Sequence, residues 1–354
     1  MAETRRRLGT PSTPTKKHVP LYTGESFRQK WSEINSRIEP LEGDSIVIHG
    51  MKGIGDQLFQ VPYIKELARR FNRVYWDSDL ADLLWDMPPN VRFFYSPTRL
   101  RMQREISNES LRSGYYCDPK EIPRNSTHHH FRYLRSGPKG ILRSTVWDSL
   151  NFHLEQFGYP SCDELQFHMK TRQSWENAAS QLLHEWGISG PFAIVKSLTL
   201  RHEWYCPARN CKQEYMQHAV NRLASEMPVI EIGSQDGIRE YFEEGPYQNT
   251  YKSFTEGELP LPIITALCRK SAVTVTPSGF LQVLTLMFKC PTVVIYGGYT
   301  YPGTYHSPQL DYSRYFQVGP RNPCRCVTNN HNCNKEIPIE DINKVLDEAL
   351  WTLE

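Results

Sequence analysis

Three features of the sequence predict an α/β fold built of two Rossmann-like halves that face one cleft. Short β-branched runs alternate with segments of helical period twice along the chain, first from about Ser45 and again from Pro191. Each half contains a strand that runs into a small-residue turn and then a helix, as "SIVIHGMKGIGDQLFQ" and as "AVTVTPSGFLQVLTL". The chain has 354 residues, 39% of them apolar, which suffices for two ordinary cores.

Residues 1–36 hold Pro, Ser, Thr and basic side chains without apolar periodicity and read as a basic flexible tail. The first half, residues 37–165, opens with the strand "SIVIHG" and a helix ending near Phe71. The strand "RVYWDSD", a short helix "ADLLWDM" and the strand "VRFFYS" follow. Between Arg99 and Arg143 the alternation fails, and a basic insertion containing His128, His129 and His130 takes its place. A helix from Val146 to Phe157 closes this half.

The second half, residues 166–336, alternates again. "PFAIVKS", "MPVIEIGS", "AVTVT" and "PTVVIYGG" read as strands, and "CKQEYMQHAVNRLASE", "PIITALCRK" and "GFLQVLTLMFK" as helices. In residues 337–354, Ile342, Val345, Leu346, Ala349, Leu350 and Leu353 recur at helical spacing, which predicts a C-terminal amphipathic helix with one buried face.

The net charge of +2 is unevenly spread. Residues 1–30 carry seven Lys/Arg against two Glu, and residues 99–143 carry ten against four acids, so two basic segments sit on an acidic remainder. That pattern suits a polyanionic partner: a phosphorylated glycan, nucleic acid or an anionic lipid surface. No apolar run approaches the ~20 residues of a bilayer span, and no apolar core follows the charged N-terminus. Nine irregularly spaced cysteines then read as reduced thiols of a cytoplasmic protein, with the sequons at Asn108 and Asn125 unused.

Gly50, Gly53 and Gly55 lead into the first helix, with Asp56 in its first turn. A helix N-terminus carries roughly half a positive charge and unpaired N–H groups. One reading is a dinucleotide site, with Asp77 or Asp79 for a ribose; Asp56 would compete with the pyrophosphate. A second is an ordinary capping aspartate. A third is a general base, kept ionised by the helix dipole at the C-terminal edge of a parallel sheet. The corresponding turn of the second half has Ser278 and Gly279 and no acid, so it is open to phosphate. A base in one half and an anion site in the other suits group transfer across a cleft.

"KGIGDQLFQVPYIKELARRF" and "VTVTPSGFLQVLTLMFKCPTVVIYGG" together resemble the heptosyltransferase-like glycosyltransferases of family nine, as a divergent member, over about residues 44–353. The resemblance implies the two-domain GT-B fold. It implies that Asp56 is the catalytic aspartate of a glycine turn formed by Gly53 and Gly55, and that Ser278, Gly279 and Gln282 lie on the donor-binding turn and helix. This chain departs from the family pattern in Pro277, where the family has Asp, and in Gln282, where it has His. A basic residue after the first strand of the second domain neutralises the donor diphosphate in the family; Arg201, Lys196 and Arg209 are the candidates here. Gly233, Gln235 and Asp236 take the places that contact base and ribose.

The implied activity is transfer of a hexose or heptose from a UDP- or ADP-type nucleotide sugar to an acceptor hydroxyl, with inversion and with no cofactor beyond that co-substrate. The acceptor expected is a lipopolysaccharide-like polyanionic glycan; DNA bearing hydroxymethylated bases, as some viruses carry it, is the alternative. Arg132 and Arg135, interleaved with aromatics in "HHHFRYLR", are the acceptor-binding candidates. A reading of another class is a non-catalytic nucleotide-sugar or polyanion binding protein. Cys324, Cys326, His331 and Cys333 fall within ten residues and could hold a structural zinc, though their spacing is not among the common zinc patterns. The single Asp77-Ser-Asp79 triplet reads as a strand-end turn.

Overall fold

The computed structural model describes residues 45–96, 116–133, 135–136, 141–142, 146–158, 167–202, 205–235, 240–305, 310–324 and 333–351. Its first lobe is a parallel sheet of β1 (Ser45–His49), β2 (Arg73–Asp77), β3 (Val91–Phe94) and β4 (Thr127–His130), ordered β3-β2-β1-β4. Helix α1 (Ile54–Arg70) joins β1 to β2. Asp56 in its first turn and Arg69 and Arg70 in its last complement the helix dipole. Leu58, Val61, Ile64 and Leu67 bury one face against Ile46, Ile48 and Trp76 of the sheet. Each such side chain contributes about 1.5–3 kcal/mol by leaving water.

Two expectations for this lobe are corrected. Residues 81–86 form successive turns, not a helix. The supposed irregular insertion supplies the fourth strand, β4, whose Thr127, His128, His129 and His130 pair in parallel with Ile46, Val47, Ile48 and His49. An edge strand that is exposed at His128 and His130 needs little apolar sequence, so periodicity did not reveal it. The antiparallel pair β5 (Arg135–Ser136) and β6 (Ile141–Leu142) and helix α2 (Val146–Glu155) follow.

After α3 (Gln173–Glu185) the second lobe contributes β7 (Ala193–Lys196), β8 (Thr199–Arg201), α4 (Gln213–Ala224), β9 (Val229–Ile232) and β10 (Glu240–Phe242). Then come β11 (Lys252–Phe254), α5 (Leu261–Lys270), β12 (Val273–Pro277), α6 (Phe280–Met287), β13 (Thr292–Ile295) and β14 (Tyr315–Val318). Six of these strands form a parallel sheet ordered β11-β9-β7-β12-β13-β14, while β8 and β10 pair antiparallel above it. The central strands β7, β12 and β13 are buried throughout, which is why they read as continuous apolar runs. Helix α7 (Ile339–Trp351) sets Ile342, Leu346 and Ala349 into the core on one face of this sheet.

The lobes are not separate bodies. One apolar cluster runs from Leu58 and Phe59 of α1 to Leu281 and Leu284 of α6. Gly55 makes that approach possible: a Cβ built there would lie 3.3 Å from the Val283 Cγ2. The two helices that begin at the glycine turns are therefore packed on each other. Among the described residues no helix is long and apolar enough to cross a membrane.

Candidate active site

Gly53 is the N-cap of α1, and its helix start carries no capping side-chain bond. Asp56 lies in the first turn and is not itself the N-cap residue. Its Oδ1 accepts a hydrogen bond of 2.8 Å from the Tyr133 hydroxyl, while Oδ2 lies over Gly53, where a Cβ would come within 2.3 Å of it. Two buried glutamines fix the turn from behind. Gln57 donates to the Lys52 carbonyl at 3.1 Å, and Gln60 donates to the Met51 carbonyl at 3.2 Å and the Asp56 carbonyl at 2.9 Å. Asp77 pairs with Lys52 and accepts from Ser96, and Asp79 accepts from Gln57. Asp77 and Asp79, either of which a dinucleotide ribose could use, each already bond a residue of the turn or the first helix, Lys52 and Gln57.

On the facing lobe, Lys196, Arg201, Arg209, Ser278 and Gly279 line a single cleft. β7 and β12 lie side by side and end at one edge of the six-stranded sheet, while β8 and the single turn Pro207–Arg209, outside that sheet, bring Arg201 and Arg209 to the same cleft. Arg209 donates through Nε to the Ser278 carbonyl at 2.8 Å. A Cβ on Gly279 would stand 2.8 Å from the Arg209 Nη2, so the guanidinium occupies room that only glycine leaves. Three cations meet one carboxylate, Glu240, which pairs with Arg201 at 3.3 Å. Burial alone would raise the Glu240 carboxyl, but Arg201, Lys196 and the hydroxyls of Ser234 and Thr199 outweigh it and hold it below the usual range. Burial pulls Lys196 down to about 8, Glu240 partly offsets it, and Arg209 and Arg201 lower it further. Arg209 is lowered by burial and by Arg201, while Tyr305 and Asp56 favour its charge. Among the described residues the cleft is thus a partly buried surface lined by three cations and one acid, which suits a diphosphate.

Tyr305 ties the halves of the site together. Its ring stacks on Phe59 of α1 with centroids 5.2 Å apart and planes within 7°. Its hydroxyl is hydrogen-bonded to the Ser278 side chain and lies within the field of Asp56. Asp56 is thus within electrostatic reach of Tyr305 and Arg209, the residues that contact the Ser278 turn, although it does not itself line the cleft.

The remaining candidates divide. Gly233 lines an adjoining, mostly apolar pocket with Phe254, Leu259 and Phe280, and its N–H donates to the Phe254 carbonyl at 2.7 Å. Gln235 bonds by its backbone to Thr255, and Asp236 lies outside the described residues. Gln282 is a correction. It is fully buried and shares its amide between the hydroxyls of Tyr296 and Tyr315 at 2.7 Å each, because the α6 register turns it toward the sheet and away from the cleft. Arg132 is exposed, and the His153 Nε2 lies 2.7 Å from its carbonyl and 3.1 Å from its N–H, donating to the one or accepting from the other according to its tautomer. Arg135 lies in β5, and its side chain is outside the described residues.

Cys326 and His331 of the proposed zinc set also lie outside them, and no metal-holding group of three His, Cys, Asp or Glu occurs among the described residues. Sequence reasoning missed Tyr133, Tyr305 and Glu240. Each reaches the site from a loop or edge strand whose local sequence has no motif.

No protein-family model and no curated protein sequence matches the chain. Its fold nevertheless has counterparts. The glycosyl transferase family 9 protein of Veillonella parvula DSM 2008 is 14% identical with a TM-score of 0.57, over 89% of this chain and 100% of that one. The iron-containing dodecameric glycosyltransferase TibC of enterotoxigenic E. coli H10407 is 15% identical with a TM-score of 0.56, over 88% and 77%. The E. coli ADP-heptose lipopolysaccharide heptosyltransferase II is 13% identical with a TM-score of 0.54, over 88% and 99%. The chain has the two-lobed GT-B fold that these proteins share.

Proposed function

We propose that this protein is a glycosyltransferase that moves a sugar from a nucleotide-diphosphate donor to an acceptor hydroxyl with inversion. The observation that carries the reading is the meeting of one carboxylate, Asp56, and one buried cationic cleft across the α1–α6 contact. Asp56 takes the proton of the acceptor hydroxyl, and the oxygen attacks the anomeric carbon from the side opposite the diphosphate. The anomeric C–O bond breaks, and the electron pair leaves with the nucleoside diphosphate. Lys196, Arg201, Arg209 and the Ser278–Gly279 turn stabilise that leaving group.

The E. coli counterpart is an ADP-heptose heptosyltransferase and TibC has been solved in complex with ADP-D-β-D-heptose, which supports an ADP-type donor here, with a UDP sugar as the neighbouring case. The acceptor in this reading is a polyanionic glycan, supported by the basic composition of residues 99–143 and the exposed Arg132. The test is mass spectrometry of phosphorylated oligosaccharides and of hydroxymethylated DNA after incubation with mixed nucleotide sugars. The expected outcome is one sugar added to a glycan by the wild type and none by Asp56→Asn. Addition to DNA would move the acceptor to the alternative class. Nucleotide-sugar binding without turnover of any donor would make the protein a binding module.

A further inference from the structure

The two oxygens of Asp56 sit in different surroundings. Oδ1 is held by the Tyr133 hydroxyl at 2.8 Å. Oδ2 lies over the bare Cα of Gly53, and among the described residues no ion pair takes it. Gly53 has an ordinary extended backbone, φ −65° and ψ 142°, which any residue adopts. Glycine is therefore not required there by conformation. The position is an N-cap, where Ser, Thr, Asp or Asn would bond the helix's first N–H groups, and the helix forgoes that bond. What glycine provides is space beside Oδ2.

Tyr133 is itself held in place. It follows β4, whose register to β1 is extended by the Phe131 N–H donating to the His49 carbonyl at 3.0 Å. His153 of α2 then bonds the backbone of Arg132 through Nε2, which lies 2.7 Å from its carbonyl and 3.1 Å from its N–H and engages one of them according to its tautomer. The tyrosine ring packs edge-on to the buried Phe131. Burial, and then the charge of Asp56, push its hydroxyl far above the ordinary tyrosine range, so it remains a donor.

We propose that Tyr133 is the positioning residue of this centre: its hydroxyl commits Oδ1 of Asp56 and so aims Oδ2, over Gly53, at the acceptor hydroxyl. This rests on the reading of Asp56 as the general base. A carboxylate free to turn about its terminal torsion presents either oxygen in many directions. Pinning one oxygen fixes the plane of the group and the lone pairs of the other, which is what a near-attack geometry needs. Tyr133 is not among the residues that line the cationic cleft, so loss of its hydroxyl should affect turnover and leave donor capture alone.

The test compares wild type with Tyr133→Phe, Gly53→Ala and Asp56→Asn. Release of nucleoside diphosphate is followed from ADP-heptose and from UDP-glucose, ADP binding by calorimetry, and folding by thermal melting. Asp56→Asn is expected to lose release and keep ADP affinity. Tyr133→Phe should lower kcat about 10- to 100-fold, the worth of a hydrogen bond to a charged group, with donor KM and ADP affinity within about twofold of wild type. Gly53→Ala should show the same split. A wild-type kcat in Tyr133→Phe, with Asp56→Asn inactive, overturns the positioning role and leaves the base intact. Equal release by wild type and Asp56→Asn, or no release by wild type, removes the base and this inference with it. If Tyr133→Phe fails to melt cooperatively, Gly53→Ala decides, and a wild-type kcat there overturns the proposal.

Discussion

Gly55 of the first lobe and Phe280 of the second meet backbone to backbone: a Cβ on Gly55 would lie 3.4 Å from the Phe280 Cα. The distance between the base and the anion cleft is set at this contact, since Asp56 and Gly279 are the adjacent residues. Alanine at position 55 needs a shift of a few tenths of an ångström. Valine adds two methyl groups and must push α1 and α6 apart. Gly55→Val is expected to cost about 1–3 kcal/mol, the usual range for overpacking, and to abolish diphosphate release. Thermal melting and donor turnover check both, and a fully active Gly55→Val would mean that this contact does not set the site.

Arg209 is oriented by the Ser278 carbonyl and by the absence of a side chain at Gly279. Arg209→Met removes the cation, and Gly279→Ala displaces it. Charge-assisted hydrogen bonds are worth about 1.5–3 kcal/mol, so each variant should weaken ADP binding about 10- to 100-fold. Calorimetry at fixed ionic strength measures this directly. Unchanged ADP affinity in both variants would take the diphosphate away from this turn.

Lys196 makes opposite predictions for the free and the liganded protein. Its ammonium is lowered from 10.5 to about 8 in the fold, chiefly by burial. Between these values the unfolded chain holds the proton more tightly than the native one, so stability of the free protein rises as pH climbs through that window. A bound diphosphate wants the charged form. ADP affinity should therefore fall as pH rises past about 8, while the melting temperature of the free protein does not. Lys196→Met should abolish the pH-dependent step in affinity. It should also remove the cost of a buried charge, and so leave the free protein at least as stable near neutral pH.

Much of this architecture was legible because it depends on strong local signals. Ile46 to Ile48, Ala193 to Val195 and Val293 to Ile295 are buried on both faces of parallel sheets and so read as β-branched runs. Gly53, Gly55 and Gly279 are glycines where side chains or backbones approach closely, and such positions announce themselves. Lys196 at the end of β7 was legible as a strand-end cation, and Arg201 and Arg209 follow it closely in the sequence, on β8 and on the turn Pro207–Arg209. By contrast β4 is an edge strand of Thr and His, and its partner on β1 is distant in sequence. Tyr133 and Tyr305 act through single hydroxyls delivered from loops, a placement that no spacing rule encodes. Gln282 misled for a different reason. The turn before it matches a donor-binding pattern, but a helix shows only one face to the cleft, and this residue is on the other.

That burial of Gln282 is open to a direct check. Its amide stands 2.7 Å from the hydroxyls of both Tyr296 and Tyr315, in a region with no water access. Tyr296 also donates to Gln317 at 3.0 Å, and the Tyr315 hydroxyl is hydrogen-bonded to that of Tyr296. Gln282→Leu preserves the volume approximately and removes both amide bonds from this buried cluster. The expected loss is about 1–3 kcal/mol, that of two buried hydrogen bonds. In a protein of this size that lowers the melting temperature by about 2–4 °C for each kcal/mol. ADP affinity and donor KM should stay at their wild-type values, because the residue does not face the cleft. The reverse pattern, intact stability with weakened donor use, would return Gln282 to the donor site that its helix first suggested.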